Sequence, residues 1–576
     1  MRASLRIRFA AEAILGMLDS SFCEKSGDNV TRDPRSVNEV PNQDHSASKT
    51  TKKHFIKAAA VVGAMILLGR ILGLVRDIVS AKQFGTQWQW DAFIYAFMLP
   101  NLFRRIVGEG GMTSAFIPVY NDIKTKQGTS EAFRFANITL CILACALLVF
   151  VLSVQGLVTL LLEVGTYNPM LTLTLQLLRT LFPYLWFLSL FALGMGVLNS
   201  HGHFLAPALS SVILDGVWIF AVLWVPSWMG TDDISRIHWL TYMLLVAGLL
   251  HIVVELPPLY QIGFRLRWIW NTAYEGLQRT WKLLLPVVIS FAVVQINITV
   301  DATIGMIIGP GANSSLWYGN RLMQFPLGIF ALAMGTALLP MMSRQIAAGE
   351  KEDSKKSLSF ALRSIFFIII PSTVGLIVFR EEIIRFLFQR GEFDATSTAR
   401  SAAVLLGYAI GLFAYSGQKI MATGFYAAHD SKTPMRTAVV ALVVNIVFNL
   451  ILMVPLKEAG LALATSIAGI VQFAQLVYYY PKKVGEFPFK EVIRSFLRIV
   501  LAALVMAVIC RFSYGYLQQV FPGTNTLAQG IQVLGSMLIA TISYLVLCFI
   551  FHVPEMHEAV EWMLRKRKKN QAKVNG

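Results

Sequence analysis

The stretch of sequence that decides the fold is residues 56–81, IKAAAVVGAMILLGRILGLVRDIVSA. A helix needs about 20 apolar residues to cross a hydrocarbon core about 30 Å thick, and this run is long enough. It nevertheless contains Arg70 and Arg76. Placing a guanidinium at membrane depth costs about 2.5–3.5 kcal/mol, so such residues normally line a water-filled cavity or contact an anion. The run therefore predicts a transmembrane helix that contributes cations to an internal site.

Apolar runs of this length recur along the whole chain. Of its 576 residues, 55% are apolar and only 14% are charged, and its mean hydropathy is +0.59. A soluble protein carries about 25% charged residues, and a membrane β-barrel would alternate apolar with polar positions. We therefore predict an all-α polytopic membrane protein with about 14 transmembrane helices. The predicted spans are 56–81, 88–107, 136–162, 171–198, 206–228, 237–261, 282–308, 314–342, 359–379, 398–426, 436–455, 459–480, 491–517 and 528–551.

The distribution of basic residues predicts the orientation in the membrane. The formal net charge is +17, and loops that follow even-numbered spans are rich in lysine and arginine, whereas most loops that follow odd-numbered spans hold none or one. Because cytoplasmic loops are enriched in these residues, both termini are predicted to be cytoplasmic, and the charge does not indicate nucleic-acid binding. One loop, 380–400, is basic yet assigned to the outside. It also contains Glu381, Glu382, Glu392 and Asp394, so it is interpreted as a charged external segment.

The second and eighth spans share a weak internal repeat. DAFIYAFMLPNLFRRIVGEGGMTSAFIPVYND (91–122) aligns with WYGNRLMQFPLGIFALAMGTALLPMMSRQ (317–345) when Pro100 is matched to Pro326. Duplicated halves with helices interrupted by proline and glycine are typical of alternating-access transporters. The predicted domains are a disordered cytoplasmic extension (1–53), a first six-helix lobe (54–262), a pseudo-symmetric second lobe (263–482), two C-terminal helices (483–552) and a basic cytoplasmic tail (553–576).

Four arginines at different predicted depths form a candidate path for an anion. Arg104 lies near the cytoplasmic end, Arg70 and Arg321 lie in the middle, and Arg76 lies about 9 Å beyond Arg70 toward the outside. Guanidinium forms two-pronged hydrogen bonds with phosphate and stays charged when buried, so the set suits a diphosphate. Asp77 shares a helix face with Arg70, so an internal ion pair between these two residues is an alternative role for part of the cluster. The alternative is that each arginine extends to the nearest headgroup layer.

A second group of residues is polar but not basic. Asp301 lies in the seventh span, Asn445 and Asn449 share a face of the eleventh, and Thr465 lies in the twelfth. One carboxylate with several neutral oxygens suits a monovalent cation or a proton. The same amides could instead form hydrogen bonds that hold the helices together. The sequence contains no P-loop, which argues against coupling to ATP hydrolysis within the chain.

Three motifs carry a resemblance to a known family. RILGLVRD (70–77), DAFIYAFMLPNLFRRIVGEGGMTSAFIPVY (91–120) and YGNRLMQFPLGIFALAMGTALLP (318–340) resemble, in order, the MurJ (MviN) lipid II flippases of the multidrug/oligosaccharidyl-lipid/polysaccharide exporter superfamily. The resemblance covers about residues 55–551. It implies two lobes, a groove of helices thirteen and fourteen for the lipid tail, residence in the bacterial inner membrane, and a role in peptidoglycan biosynthesis and cell shape as a transporter, not an enzyme.

The resemblance also implies site residues. The family's cavity positions that bind substrate fall on Arg70, Arg76, Asp77, Arg104 and Arg321, and candidate supporting positions fall on Asp91, Arg105 and Glu109. The family's cation site falls on Asp301, Asn445, Asn449 and Thr465. Asn449 stands where an acid can occur, so this site has one negative charge fewer. Sodium and protons both remain candidate coupling ions, and no other cofactor is expected.

The function implied by the resemblance is transport of lipid II, an undecaprenyl-diphosphate-linked peptidoglycan precursor, between leaflets. Membrane lipids and proteins of cell-wall synthesis or division are candidate further partners. The alternatives are an exporter of another polyprenyl-linked glycolipid and a cation-coupled drug exporter of the same superfamily. A drug exporter would need acids where the first lobe has arginines. A membrane glycosyltransferase would need paired acids or a metal cluster, and a scaffold would not explain the deep arginines.

Overall fold

The structure is a computed structural model that describes residues 44–103, 113–224, 232–523, 525–558, 560 and 561. These described residues form helices and connecting turns, with no β-strand among them. In chain order the helices are α1 (Asp44–Phe84), α2 (Trp88–Phe103), α3 (Thr113–Gln127), α4 (Thr129–Val164), α5 (Pro169–Leu181), α6 (Pro183–Ser200), α7 (Leu205–Leu223), α8 (Asp233–Gln261), α9 (Glu275–Ile308), α10 (Ala312–Pro326), α11 (Leu332–Ala347), α12 (Lys351–Val378), α13 (Arg380–Phe388), α14 (Ala395–Ile410), α15 (Leu412–Ala427), α16 (Lys432–Lys483), α17 (Phe489–Val520) and α18 (Thr526–Ile550).

The helices confirm the predicted class of an all-α polytopic membrane protein. In the part of the chain that the structure describes, 10 helices are long and apolar enough to cross a bilayer. Some of these are pairs of shorter helices in continuous stretches, such as Pro169–Ser200, which contains α5 and α6. The predicted count of about fourteen spans stays a prediction.

The longest helix, α16, contains a sharp turn. Lys457 has φ 49° and ψ −132°, which is not helical, so α16 consists of two arms. These arms match the predicted eleventh and twelfth spans. Gly460 is required at the turn, because a Cβ there would lie 2.4 Å from the carbonyl oxygen of Leu452. The chain thus passes from one long arm to the next without a loop.

The predicted eighth span is also interrupted. Helix α10 ends at Pro326, a five-residue π-helical segment covers Leu327–Ala331, and α11 then continues the span. Proline cannot donate the usual helical hydrogen bond, and π segments inside helices are frequent at functional sites. The interruption agrees with the prediction of a helix broken by proline in the middle of the chain.

Helices α1–α8, here called the first half, pack mainly against one another, and α9–α16, the second half, do the same. Helices α17 and α18 pack on each other, and α17 also packs on α12. The start of α9 is an exception, because it packs against α3 of the first half. The predicted lobe boundaries stay predictions.

The first helix begins earlier than expected. Helix α1 starts at Asp44, so residues 44–53 are helical, whereas the sequence assigned them to a disordered extension. Residues 44–53 contain neither proline nor glycine, so no helix breaker separates them from the apolar run that follows. Residues 1–43 and the basic tail 562–576 lie outside the described residues.

An aromatic cluster fixes α2 against α7. The ring of Trp218 on α7 meets Trp90, Phe93 and Phe97 of α2 edge-on, with centroids 6.3, 5.4 and 5.3 Å apart. Such edge-to-face pairs contribute about 0.5–1.5 kcal/mol each beyond their buried area. Trp218 also lies 4.8 Å from the guanidinium carbon of Arg76, so this packing positions one of the predicted site arginines.

Candidate functional site

The centre of the site is a cluster of two arginines and two aspartates. Arg76 is buried and donates to Asp77 Oδ1 from Nε at 3.1 Å and from Nη2 at 2.9 Å, and to Asp215 Oδ1 from Nη1 at 2.7 Å. Arg321, on α10 of the second half, pairs through Nε with Oδ2 of Asp77. The internal ion pair is therefore Asp77 with Arg76 and Arg321, and Arg70 bonds elsewhere. Because two charges of each sign are present, the cluster has no net charge.

Two tryptophans enclose this cluster. The guanidinium of Arg76 lies 4.8 Å from the ring of Trp218 and 5.8 Å from that of Trp317, and Arg321 lies 5.5 Å from Trp317. The Trp317 indole N–H also donates to Asp77 Oδ1 at 3.4 Å. Cation–π contacts of this kind contribute about 0.5–2 kcal/mol. They hold the arginines in fixed orientations at the junction of the two halves.

Arg70 makes a separate contact between the halves. Its Nη2 donates to the carbonyl oxygen of Gly328, at 3.2 Å, in the π-helical segment. A Cβ at residue 328 would lie 2.7 Å from Arg70 Nη1, so glycine is needed for this approach. The π segment thus offers its backbone to a membrane-depth arginine of α1.

A cavity of about 550 Å³ lies between the halves beside these residues. Its wall includes the cluster residues Arg76, Asp215 and Arg321, and also Asp301 and Thr465 of the predicted cation site. The structure therefore places part of both predicted sites on one cavity, which the sequence did not foresee. An anion held by the arginines and a cation near Asp301 would face the same enclosed space.

The four predicted cation-site residues come together. Asn449 Nδ2 donates to Asp301 Oδ1 at 2.6 Å and to Asn445 Oδ1 at 2.8 Å, and Thr465 Oγ1 lies 3.3 Å from Asp301 Oδ2. Among the described residues, Asn449 Oδ1 is a buried oxygen with no hydrogen-bond partner. The group thus offers one carboxylate, one hydroxyl and two amide oxygens, of which Asn449 Oδ1 is the unsatisfied one. This set of oxygens fits a monovalent cation. Among the residues that the structure describes, no group of three or more His, Cys, Asp or Glu is placed to hold a metal ion.

The halves meet closely at the end of the bundle that carries residues 82–95, here called the 82–95 end. Asp91 is fully buried, and its carboxylate accepts from the Ser314 backbone N–H at 2.6 Å, from the Ser314 hydroxyl, and from the Gly311 N–H. Gly311 has φ +84°, a conformation that favours glycine. Asp91 thereby fixes the start of α10 to α2.

Further contacts surround this closure. The Lys82 carbonyl accepts from the Glu392 N–H at 3.0 Å, and Gln87 Nε2 donates to Glu392 at 2.9 Å. Arg400 donates through Nε to Glu458 at 2.6 Å and through Nη1 to the Pro310 carbonyl at 2.8 Å. The charged segment 380–400 therefore packs on the end of α1, and Arg400 connects it to the turn of α16.

At the opposite end of the bundle, Asp122 on α3 accepts from Lys126 and from Arg279 on α9, with ion-pair distances of 2.7 and 2.9 Å. Hydrogen bonds from Lys126 and then Arg279 hold the pKa of the Asp122 carboxyl below its usual range. Asp122 thus stays ionised and joins the start of α9 to the first half.

Three predicted residues, Arg104, Arg105 and Glu109, lie outside the described residues, and their roles stay predictions. One residue that the sequence reasoning missed is Asp215, which balances Arg76. The signal was available, because Asp215 is an acid in the apolar span 206–228 and intramembrane acids are costly. Its partner could not be deduced, because nothing local indicates that α7 crosses α1 beside Arg76.

Similarity to known proteins shows the family of this chain. A family model described as "Lipid II flippase MurJ" matches residues 80–528. The chain belongs to the lipid II flippase MurJ family. The probable lipid II flippase MurJ of Vibrio cholerae is 31% identical over 439 residues, which cover 74% of this chain and 83% of that protein. The lipid II flippase MurJ of Burkholderia cenocepacia is 31% identical over 466 residues, which cover 79% and 89%.

Solved structures agree with this membership of the MurJ family. A structure of the lipid II flippase MurJ in an inward closed conformation matches with a TM-score of 0.69 at 26% identity, over 86% of this chain and 99% of that one. An inward-facing multidrug resistance MATE transporter of the MOP superfamily matches with a TM-score of 0.60 at 14% identity, over 74% and 98%. The second likeness shows the fold alone.

Proposed function

We propose that this chain moves lipid II from the inner to the outer leaflet of the bacterial cytoplasmic membrane by alternating access, as a transporter and not an enzyme. The observation that carries the proposal is the family match over residues 80–528, joined to arginines on a cavity between two halves of a membrane protein. The diphosphate of lipid II is the anion that the arginines would bind. The family model and the similar proteins are described as lipid II flippases, so a drug exporter is disfavoured.

Arg321 is the arginine best placed to meet the diphosphate first. Its side chain is 39% exposed and it contacts Asp77 through Nε, so its terminal amino groups are the part that a phosphate would reach. Arg76 is buried between two carboxylates and would mainly hold Asp77 and Asp215 in position. A phosphate that binds Arg321 competes with Asp77 for it, which links substrate binding to the contact between the halves.

The proposed orientation determines on which side of the membrane the cavity is closed. With both termini cytoplasmic, the 82–95 end faces the outside, and the closure around Asp91 seals the cavity on that side. A cavity of about 550 Å³ lies within the range of drug-sized sites. The disaccharide–pentapeptide headgroup is larger than such a ligand, so the halves must separate to admit it. Separation on alternate sides would carry the headgroup across.

The lipid tail would stay at the protein surface. Helix α17 carries a stripe of apolar residues at helical spacing whose side chains are between 51% and 76% exposed, namely Leu497, Leu501, Leu504, Val508 and Phe512. Residues three and four apart share one helix face, so the stripe is continuous. A continuous apolar face on α17 supports the proposal that the undecaprenyl tail lies along the C-terminal helices while the headgroup crosses.

The coupling ion is proposed to bind in the second half. Asp301, Asn445, Asn449 and Thr465 would hold a monovalent cation, which would balance the charge of Asp301. The membrane potential is a further contributor, at about 2.3 kcal/mol for each charge moved across 100 mV. It would act on the bound cation and on the anionic headgroup, because the cluster of arginines and aspartates carries no net charge.

The experiment that tests the proposed function is rescue of a bacterium depleted of its own lipid II flippase. We expect the wild-type chain to rescue growth, and Arg321→Ala and Arg70→Ala to fail although they insert in the membrane. Arg511→Ala is the matched control, because Arg511 pairs with Glu382 away from the cavity and should not be needed.

A wild-type chain that inserts but does not rescue would refute the proposal and favour another polyprenyl-linked glycolipid as the cargo. Rescue by Arg321→Ala and Arg70→Ala would leave flipping intact and remove the arginines from substrate binding. Flipping of labelled lipid II in vesicles of purified protein would repeat the comparison without other cell-wall proteins present.

A further inference from the structure

The first half contains a buried acid that the proposed transport cycle does not use. Glu255 on α8 is 2% exposed, and its Oε1 has no hydrogen-bond partner among the described residues. Its other oxygen lies directly over Gly194 of α6, where a Cβ would come within 2.2 Å of Oε2. Leu259 packs on the same side. The carboxyl is therefore held between two helices in an apolar setting.

A histidine lies one turn away on the same helix. His251 is also buried and precedes Glu255 by four residues, so both side chains share one face of α8. His251 Nε2 lies 2.9 Å from the carbonyl oxygen of Ser210, which makes Nε2 the protonated nitrogen of the neutral ring, so that Nδ1 carries the lone pair. His251 lines the cavity, whereas Glu255 lies one turn beyond it. The pair extends from the cavity wall into the first half.

The surroundings favour a proton over a metal or an organic anion. A charged carboxylate without a partner is strongly disfavoured at membrane depth, and a protonated carboxyl is neutral. The titratable cavity-lining residues of the helices packed against α8 are Tyr184 on α6 and Asp215 on α7, and Asp215 is already paired with Arg76. In the described part of α2, the cavity-lining polar residue nearest its end is Asn101, an amide. Asp215 is the one carboxylate among these positions, and its ion pair with Arg76 leaves it committed elsewhere and not to a metal site with Glu255.

We propose that Glu255 and His251 form a proton-binding site in the first half, in which His251 passes protons between the cavity and Oε1 of Glu255. The inference rests on the proposed function for its role: proton entry from the outside would accompany lipid II export. Glu255 lies about 9 Å from the end of α8 that is proposed to be cytoplasmic, so a proton taken from the cavity has a short exit. This site is separate from Asp301 and its neighbours in the second half.

The test uses purified full-length protein in two measurements. Difference infrared spectroscopy across a pH titration reports the C=O stretch of protonated carboxyl groups, and it does not depend on transport. Flipping of labelled lipid II in vesicles is then measured with and without an outside-acid pH gradient, while valinomycin and potassium hold the membrane potential at zero. Glu255→Gln keeps the side-chain size, and Glu163→Gln, at an exposed position of α4, is the matched control.

We expect Glu255→Gln to lose one carboxyl band and to bring the ratio of flipping rates with and without the gradient to one, whereas Glu163→Gln resembles the wild type. His251→Gln should slow the response to the gradient but keep the carboxyl band. An unchanged infrared titration in Glu255→Gln would overturn the site. Loss of the band with an unchanged gradient response would overturn its role in coupling. A wild type that shows the Glu255 band but flips no lipid II would refute the proposed function and leave the proton site supported.

Discussion

Asp91 provides the sharpest test of how the closure at the 82–95 end works. Its Oδ1 accepts from the Ser314 N–H and hydroxyl, and its Oδ2 accepts from the Gly311 N–H. In Asp91→Asn, an amide NH₂ would face the Gly311 N–H, so that bond is lost, at a cost of about 1.5–3 kcal/mol. The two bonds that remain lose their ionic component, which provides roughly half of their strength. The closure should weaken by about 3–5 kcal/mol in total.

This loss applies only to the closed state, because opening exposes Asp91 and its partners to water. A change of 1.4 kcal/mol alters an equilibrium constant about tenfold. The ratio of closed to open molecules should therefore fall by about 100-fold or more. Spin labels at positions 87 and 392 report this ratio, since the side chains there are joined across the halves by a bond of 2.9 Å. We expect the distance distribution to gain a long component in Asp91→Asn.

The control for this experiment is Asp394→Asn. Asp394 lies at the same end of the bundle, but its side chain caps α14 by accepting from the Ser397 N–H at 2.7 Å, within the second half. Asparagine caps helices about as well as aspartate, so Asp394→Asn should leave the cap in place and have no direct effect on the contact between the halves. If Asp91→Asn gave the wild-type distance distribution, the assignment of Asp91 to the closure would be refuted.

Three further substitutions test other parts of the site. Gly328→Ala should slow flipping about tenfold or more, because its Cβ would come within 2.7 Å of the Arg70 guanidinium and displace it from the carbonyl oxygen of residue 328, a hydrogen bond that contributes about 1.5–3 kcal/mol. Gly335→Ala, whose nearest contact is at 3.7 Å, should not slow flipping, and equal rates for the two variants would contradict this prediction. Asp215→Asn should lower the unfolding temperature measured in detergent, because removing one partner of buried Arg76 costs about 3 kcal/mol, and an unchanged temperature would argue against the pair. In Asn449→Asp, sodium at a concentration of 100 times its Kd should stabilise the folded protein by about 2.7 kcal/mol. The same thermal unfolding in sodium and in potassium would count against the cation site.

Much of the fold was predictable because membrane burial leaves a strong local signal. Long apolar runs predict the helices, and the cost of burying a guanidinium marks Arg70, Arg76 and Arg321 without reference to any partner. The cost of burying polar groups also singled out Asp301 and Asn449, and the resemblance to the family implied that they share one site. These inferences depend on the environment of single helices.

The remaining features depend on how helices cross, which no local pattern determines. The pairing of Asp77 with Arg76 and Arg321, and not with Arg70, follows from α10 passing beside α1. The role of Asp215 follows from α7 doing the same. The absence of a loop in α16 was not predictable either, because Lys457 adopts a conformation that an ordinary lysine rarely has.

The turn of α16 has a mechanical consequence. One of its arms carries Asn449 and the other carries Thr465. An ion that draws these side chains together therefore acts on both arms, which are joined directly by the turn at Lys457. At this turn, Glu458 pairs with Arg400, which also donates to the carbonyl oxygen of Pro310, next to Gly311. Arg400 therefore connects the turn between the two arms to the residues that precede α10. If a cation binds as proposed, we expect its binding to be coupled to the contact between the halves at the 82–95 end, and substitution of Arg400 to uncouple them.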